Sequence, residues 1–95
     1  MPHLKLEYTS NISHQINFKD LFLELHRVLV DYADVDYKNC KSRAIKLDDF
    51  LIGKDEEQNA FVHLELKFLE GRTDQKKREI GWDIMKILED FYHPC

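Results

Sequence analysis

The stretch NFKDLFLELHRVLVDY, residues 17–32, sets Phe18, Leu21, Phe22, Leu25, Val28, Leu29 and Tyr32 at spacings of three and four. An α-helix turns once every 3.6 residues, so these side chains form one apolar stripe. Asn17 stands where a side-chain oxygen caps a first turn, and Asp20 adds negative charge near the positive end of the helix dipole. The spacing predicts an amphipathic helix, which needs a partner surface for its stripe.

That surface is found on both sides. Before the helix, Leu4, Leu6 and Tyr8 alternate with His3, Lys5 and Glu7, the period of a half-buried strand, and a polar loop covers residues 9–17. After it, residues 33–39 read as a polar turn and residues 41–52 as a second strand. There Lys41, Arg43, Ile45 and Leu47 share one face, opposite Ser42, Ala44 and Lys46. Residues 53–58 form a charged loop. Residues 59–68 are the clearest strand, with Val62, Leu64, Leu66 and Phe68 facing one way and Phe61, His63, Glu65 and Lys67 the other. Gly71 and Arg72 form a turn, and Thr73 is placed to cap a last helix. Ile80, Ile84, Ile87, Leu88 and Phe91 make that helix's stripe, and Pro94 stops it.

The order is strand–helix–strand, then strand–helix. A crossover of the first kind joins parallel strands. The second half resembles the same unit cut off after its helix, so a closing strand is expected to be missing or to come from elsewhere.

Composition narrows the class. Ninety-five residues make one small domain, 1–95, of a size that often gains stability by oligomerising. The chain is 43% hydrophobic and 12% aromatic, enough for a packed core. Fourteen basic and 18 acidic residues give a net charge of −4, without the basic excess that marks nucleic-acid binding. No apolar run approaches the roughly 20 residues that span a bilayer, and residues 1–5 form no signal-peptide core, so a cytoplasmic protein is expected. Cys40 and Cys95, the only cysteines, then read as reduced thiols and not as a disulfide.

Common chemical motifs are absent: no Gly-rich phosphate loop, no nucleophile elbow, and no His or Cys spacing suited to zinc. No metal and no cofactor are therefore expected. His3, His14, His26, His63 and His93 are scattered, and an isolated histidine carries no mechanism without a partner. Asp48-Asp49 and Asp55-Glu56-Glu57 read as solvated surface.

Pro2 is more informative. Removal of Met1 leaves a secondary amine, which is a base, whereas a proline nitrogen within a peptide bond is an amide and is not. An ordinary α-amino group titrates near ~8, and apolar burial or nearby cations increase its free-base share at neutral pH. Proline at position two is common, so it gains meaning only from its surroundings. Lys41 and Arg43 share a face with apolar neighbours, an expensive place for charge that meets no anion. Arg72 precedes a helix N-terminus, itself favourable to anions, and arginine holds a carboxylate through two parallel hydrogen bonds. The plain alternative for all three cations is an ion pair with one of the 18 acids.

Taken together, these residues resemble the 5-carboxymethyl-2-hydroxymuconate isomerase family of the tautomerase superfamily. The blocks are Met1-Pro2-His3, Glu7-Tyr8, Asn11-Ile12, Ser42-Arg43-Ala44, Ala60-Phe61-Val62-His63, Leu66-Lys67 and Gly71-Arg72. They span nearly the whole chain. The resemblance implies an isomerase that shifts a proton along a conjugated 2-hydroxy-dienoate with three carboxylates, a ring-fission product of homoprotocatechuate in aromatic-compound catabolism. Pro2 would be the catalytic base, and Arg72 would bind carboxylate or steady the enolate-like intermediate. The family's second anchoring arginine falls at Lys41, where lysine keeps the charge but loses the bidentate fork, and Arg43 is placed to compensate.

The expected fold is α+β: a tautomerase-like β-α-β unit followed by a β-α half-unit, a mixed sheet with two helices on one face, and no closing C-terminal strand. The resemblance also implies assembly as a homotrimer whose sheets pack together, provided that the closing strand is supplied. The expected partner is a small anionic polycarboxylate, with neither nucleic acid nor membrane. Two alternatives differ in class: a truncated or diverged relative with a binding or structural role, and another tautomerase-superfamily activity.

Overall fold

A strand with apolar side chains on one face needs neighbours on both edges and a cover for that face. The computed structural model, which describes residues 2–12, 15–54, 59–67 and 74–92, supplies these to β1 (His3–Thr9). After β1 come α1 (Phe18–Ala33), a single 3-10 turn (Tyr37–Asn39), β2 (Lys41–Leu47), β3 (Val62–Lys67) and α2 (Asp74–Tyr92). β1 is the central strand, parallel to β2 and antiparallel to β3. The mixed α+β sheet expected from the sequence is present.

Register decides which face is which. Leu4 lies between Ser42 and Leu66, and Leu6 between Ala44 and Leu64. Directly paired residues point the same way, so this face is apolar, and both helices contribute to the core upon it. Leu4, Leu6, Leu21, Leu25 and Leu29 are fully buried there, joined by Val28, Ile80 and Ile84. Ile87, Leu88 and Phe91 pack against the same core, half-buried. The stripes read from both helices are thus the buried faces.

Local chemistry sets the ends of α1. The Asn17 side chain accepts the Asp20 backbone N–H at 3.2 Å, capping the first turn. At the other end Asp34 takes the left-handed conformation at φ 60°, which Asp tolerates better than branched residues do. His26 hydrogen-bonds the Ser42 hydroxyl and ties α1 to the edge strand β2.

Two strand boundaries differ from expectation. β2 ends at Leu47, not residue 52, and β3 begins at Val62, not residue 59. Strand length is set by the partner: β1 ends at Thr9, which is paired with Leu47, and Tyr8 is paired with Val62. The turn at Gly71-Arg72, the cap at Thr73, the stop at Pro94 and the thiol of Cys95 lie outside the described residues. Cys40 is a buried free thiol.

Two outcomes follow from this packing. Leu6→Ala should destabilise the protein by about 2–5 kcal/mol in urea unfolding, since it leaves a cavity beneath both helices. Burial also holds the His26 imidazole below its ordinary range. The unfolded chain then binds the proton more tightly, so the contribution is full above the unfolded value of about 6.5 and is lost as pH falls through the lower folded value. The urea midpoint should drop between about pH 7.5 and about pH 5, and His26→Gln should remove part of that drop.

Candidate functional site

Pro2 precedes β1 and its side chain is fully buried. Its carbonyl accepts the Lys41 backbone N–H at 3.0 Å, so the first rung of the parallel pair holds Pro2 against the start of β2. The 3-10 turn delivers β2 to that position. The Cys40 N–H bonds the Tyr37 carbonyl at 3.0 Å, and its buried thiol lies 3.6 Å from the Asp36 carbonyl. Apolar surroundings raise the Cys40 thiol above its ordinary range, which keeps it protonated and poorly nucleophilic.

Because β1 and β2 run parallel and β3 antiparallel, Pro2, Lys41 and Lys67 all stand at one end of the sheet. Lys41 is opposite His3, and Arg43 is opposite Lys5. Both cations are exposed on the face away from the helices, the face that they share with Ile45 and Leu47 as the alternation predicts. Ile45, their apolar neighbour, is itself 38% exposed. Arg72 lies outside the described residues; in the chain it falls between Lys67, opposite His3, and the start of α2 at Asp74.

The far end of the sheet is closed by hydrogen bonds. Buried Thr9 donates its N–H to the Phe61 carbonyl at 3.1 Å and accepts the Phe61 N–H on Oγ1, also at 3.1 Å. Asn11 Nδ2 reaches the Asn59 carbonyl at 2.8 Å. Phe50 meets Phe61 edge-on with ring centroids 6.4 Å apart.

Three histidines that looked isolated have partners. His3 Nδ1 is 3.4 Å from Arg43 Nη1, His26 meets Ser42, and His63 Nδ1 is 3.5 Å from Glu7. Each partner lies on another element, 16 to 56 positions away, so no local motif points to it. Among the described residues, no three His, Cys, Asp or Glu side chains gather as a metal would require, and no helix is long and apolar enough to cross a membrane.

Two grooves run between α1 and α2. One, of about 500 Å³, is lined by Tyr32, Gln75, Arg78, Glu79, Trp82 and Asp83; the other, of about 240 Å³, also reaches Tyr32 and Asp83. The Tyr32 phenol donates to Asp83, and that hydrogen bond to a carboxylate raises its pKa above the ordinary range.

A small mixed sheet led by a buried proline, with both helices on one face, is the tautomerase-superfamily architecture. Solved structures show the likeness directly. A 5-carboxymethyl-2-hydroxymuconate isomerase from Deinococcus radiodurans R1 aligns with a TM-score of 0.84 and 32% identity, over 96% of this chain and 69% of its own. A 5-carboxymethyl-2-hydroxymuconate delta-isomerase aligns with a TM-score of 0.83 at 16% identity, over 99% and 72%. The macrophage migration inhibitory factor-like protein of Entamoeba histolytica shares the fold more distantly, with a TM-score of 0.67 and 17% identity over 95% and 75%. No curated protein sequence matches. The family model for 5-carboxymethyl-2-hydroxymuconate isomerase covers residues 2–95, and the chain belongs to that family. The protein is an isomerase.

The Tyr32–Asp83 contact joins α1 to α2 and is open to measurement. Tyrosine titration followed by NMR should place Tyr32 above an ordinary phenol, and Asp83→Asn should bring it back toward ~10.

Proposed function

We propose that this isomerase moves a proton along a conjugated 2-hydroxy-dienoate, 5-carboxymethyl-2-hydroxymuconate or a close analogue, with the Pro2 amine as base. The observation that carries the reading is the place of Pro2: fully buried, at the head of the central strand, its carbonyl fixed to the Lys41 amide. A base contributes only when it is held in reach of the proton that it removes. Loss of Met1 frees the nitrogen. The amine then takes a proton from one end of the dienol system and returns it to another carbon, so bonds shift with no net redox change.

The role given to the cations follows from substrate charge. Arg72 binds a carboxylate or steadies the enolate-like intermediate, and Lys41 and Arg43 hold further carboxylate charge. The family relationship and the Deinococcus likeness support this substrate class. Residues 1–95 are proposed to act as one domain, in the cytoplasm, within the breakdown of homoprotocatechuate-type aromatic compounds. Homotrimeric assembly is proposed too, because a short chain with an open sheet face buries little surface alone. Light scattering that gives a monomer at working concentration would sink the trimer.

The decisive measurement follows the ultraviolet absorbance of 5-carboxymethyl-2-hydroxymuconate, with a mass spectrum of the same sample to establish that Met1 is absent. Pro2→Ala replaces the secondary amine with a primary one that lacks the ring holding it in place, and kcat should fall on the order of 10²-fold, the lower range for loss of a general base. Equal rates for both proteins would end the Pro2 mechanism. Lys41→Arg restores the planar fork and should lower KM severalfold with little change in kcat. A panel of smaller 2-keto acids tests another tautomerase activity: faster turnover of those would replace the substrate named here.

A further inference from the structure

A helix that packs one stripe on a sheet is expected to turn charged and polar residues outward. α2 departs from this at its middle. Ile80 and Ile84 are its buried residues. About half a turn round from them stand Arg78, Trp82, Met85 and Glu89, all exposed. Trp82 is 65% exposed and Met85 55%. Single exposed apolar residues are ordinary on a protein surface, as Leu23 is on α1. Trp82 and Met85 differ because they are three positions apart and share one side of the helix. Lys86 reaches the Trp82 ring, with Nζ 5.4 Å from its centroid, and still leaves most of the residue in water.

The spacing of this row matters. Steps of four, three and four from residue 78 to residue 89 keep one seam along a helix, the rhythm by which two helices pack together. Its chemical order runs cation, aromatic, thioether, carboxylate. Turned end for end, the row matches itself. In an antiparallel pair about a two-fold axis between residues 82 and 85, Trp82 meets Met85 of a second copy, and Arg78 meets its Glu89. Symmetry repeats both contacts. A parallel pair would instead set arginine against arginine and glutamate against glutamate. Within one chain Arg78 and Glu89 stand ~16 Å apart along the axis, too far to pair with each other. Neither makes an ion pair among the described residues. Gly81 borders the row. A Cβ there would meet nothing within 4 Å, so packing within the chain gives no reason for a glycine that weakens the helix. A second helix lying close supplies one.

We propose that the outer face of α2 docks α2 of a second copy of this chain, in an antiparallel pair that encloses Trp82 and Met85 between Arg78–Glu89 ion pairs. The matched row is only ~16 Å long, so the contact falls below the ~1,200–2,000 Å² of a standard interface. The pair is therefore weak and forms as concentration rises. It involves neither Pro2 nor the open sheet face, and so stands apart from the proposed reaction and trimer.

Trp82 is the only tryptophan of the chain, so its fluorescence reports on this surface alone. Light scattering and Trp82 emission are followed together from about 1 µM to about 1 mM. Mass should double, whatever the starting species, and emission should shift to the blue in step. Arg78→Glu and Glu89→Arg should each weaken association about tenfold, because symmetry puts two like-charged contacts in place of two ion pairs. Arg78→Glu combined with Glu89→Arg should restore it to within about twofold, since the reversed row is again complementary. Both side chains are exposed, so far-UV circular dichroism should show every variant folded. Doubling without a shift at Trp82 would place association elsewhere and overturn the proposal. Single variants that leave association intact, or a double variant that fails to restore it, would do the same. A mass that stays constant to about 1 mM also overturns it. Emission already blue in the dilute species means that another part of the chain covers Trp82, and this too ends the proposal.

Discussion

The hydrogen bond from the Lys41 amide to the Pro2 carbonyl is the first rung of the parallel β1–β2 pair, and the rest of the molecule depends on its register. A slip of one residue in a strand reverses every side chain it carries. Here a slip of β1 would turn Lys5 and Glu7 toward the helices and Leu4 and Leu6 into water, an arrangement the core cannot accept. The register is held at its other end as well, where the Ser10 N–H meets the Leu47 carbonyl at 2.9 Å and Thr9 clasps Phe61. Between these fixed ends, hydrophobic burial and backbone pairing demand the same alignment.

That alignment divides the sheet into two chemistries. On the helix side the edge strand β2 offers only Ser42 and Ala44 opposite Leu4 and Leu6. These small residues leave room for α1, and the hydroxyl of Ser42 gives His26 its partner. On the other side the same strand presents Lys41 and Arg43, charged and in water. One alternating stretch of sequence therefore packs a helix and builds the basic end of the open face, without placing any charge in the core.

The sequence makes the helices and the order of elements legible because both are local: a 3.6-residue period, an Asn cap and a strand alternation need no distant partner. Boundaries were less legible. Residues 48–52 and 59–60 satisfy a strand pattern, yet β1 has no residues left to pair with them, since Thr9, its last, already meets Leu47 and Phe61. The exposure of Lys41 and Arg43 is hidden from the sequence for a related reason. Ile45 and Leu47 look like apolar neighbours along the strand, but burial is decided by what lies above the sheet, and no described element covers that face. His3–Arg43 was invisible, since 40 positions separate residues that only the parallel register joins. Pro2 was the reverse case: its address in the chain was plain, and its burial at the head of the central strand was not.

Charge at the Pro2 end serves the proposed chemistry twice. Before substrate arrives, permanent cations at that end oppose a further positive charge nearby, and this favours the neutral, basic form of a freed Pro2 amine. The same field attracts a polyanion, over the roughly 8–10 Å that physiological salt allows. Once the carboxylates are seated they cancel much of that positive potential. Taking a proton then becomes easier for the amine, at the moment when the substrate has one to give. On this argument a monocarboxylate loses more than binding contacts at such a site, because it leaves the field at Pro2 largely uncancelled when the proton must move.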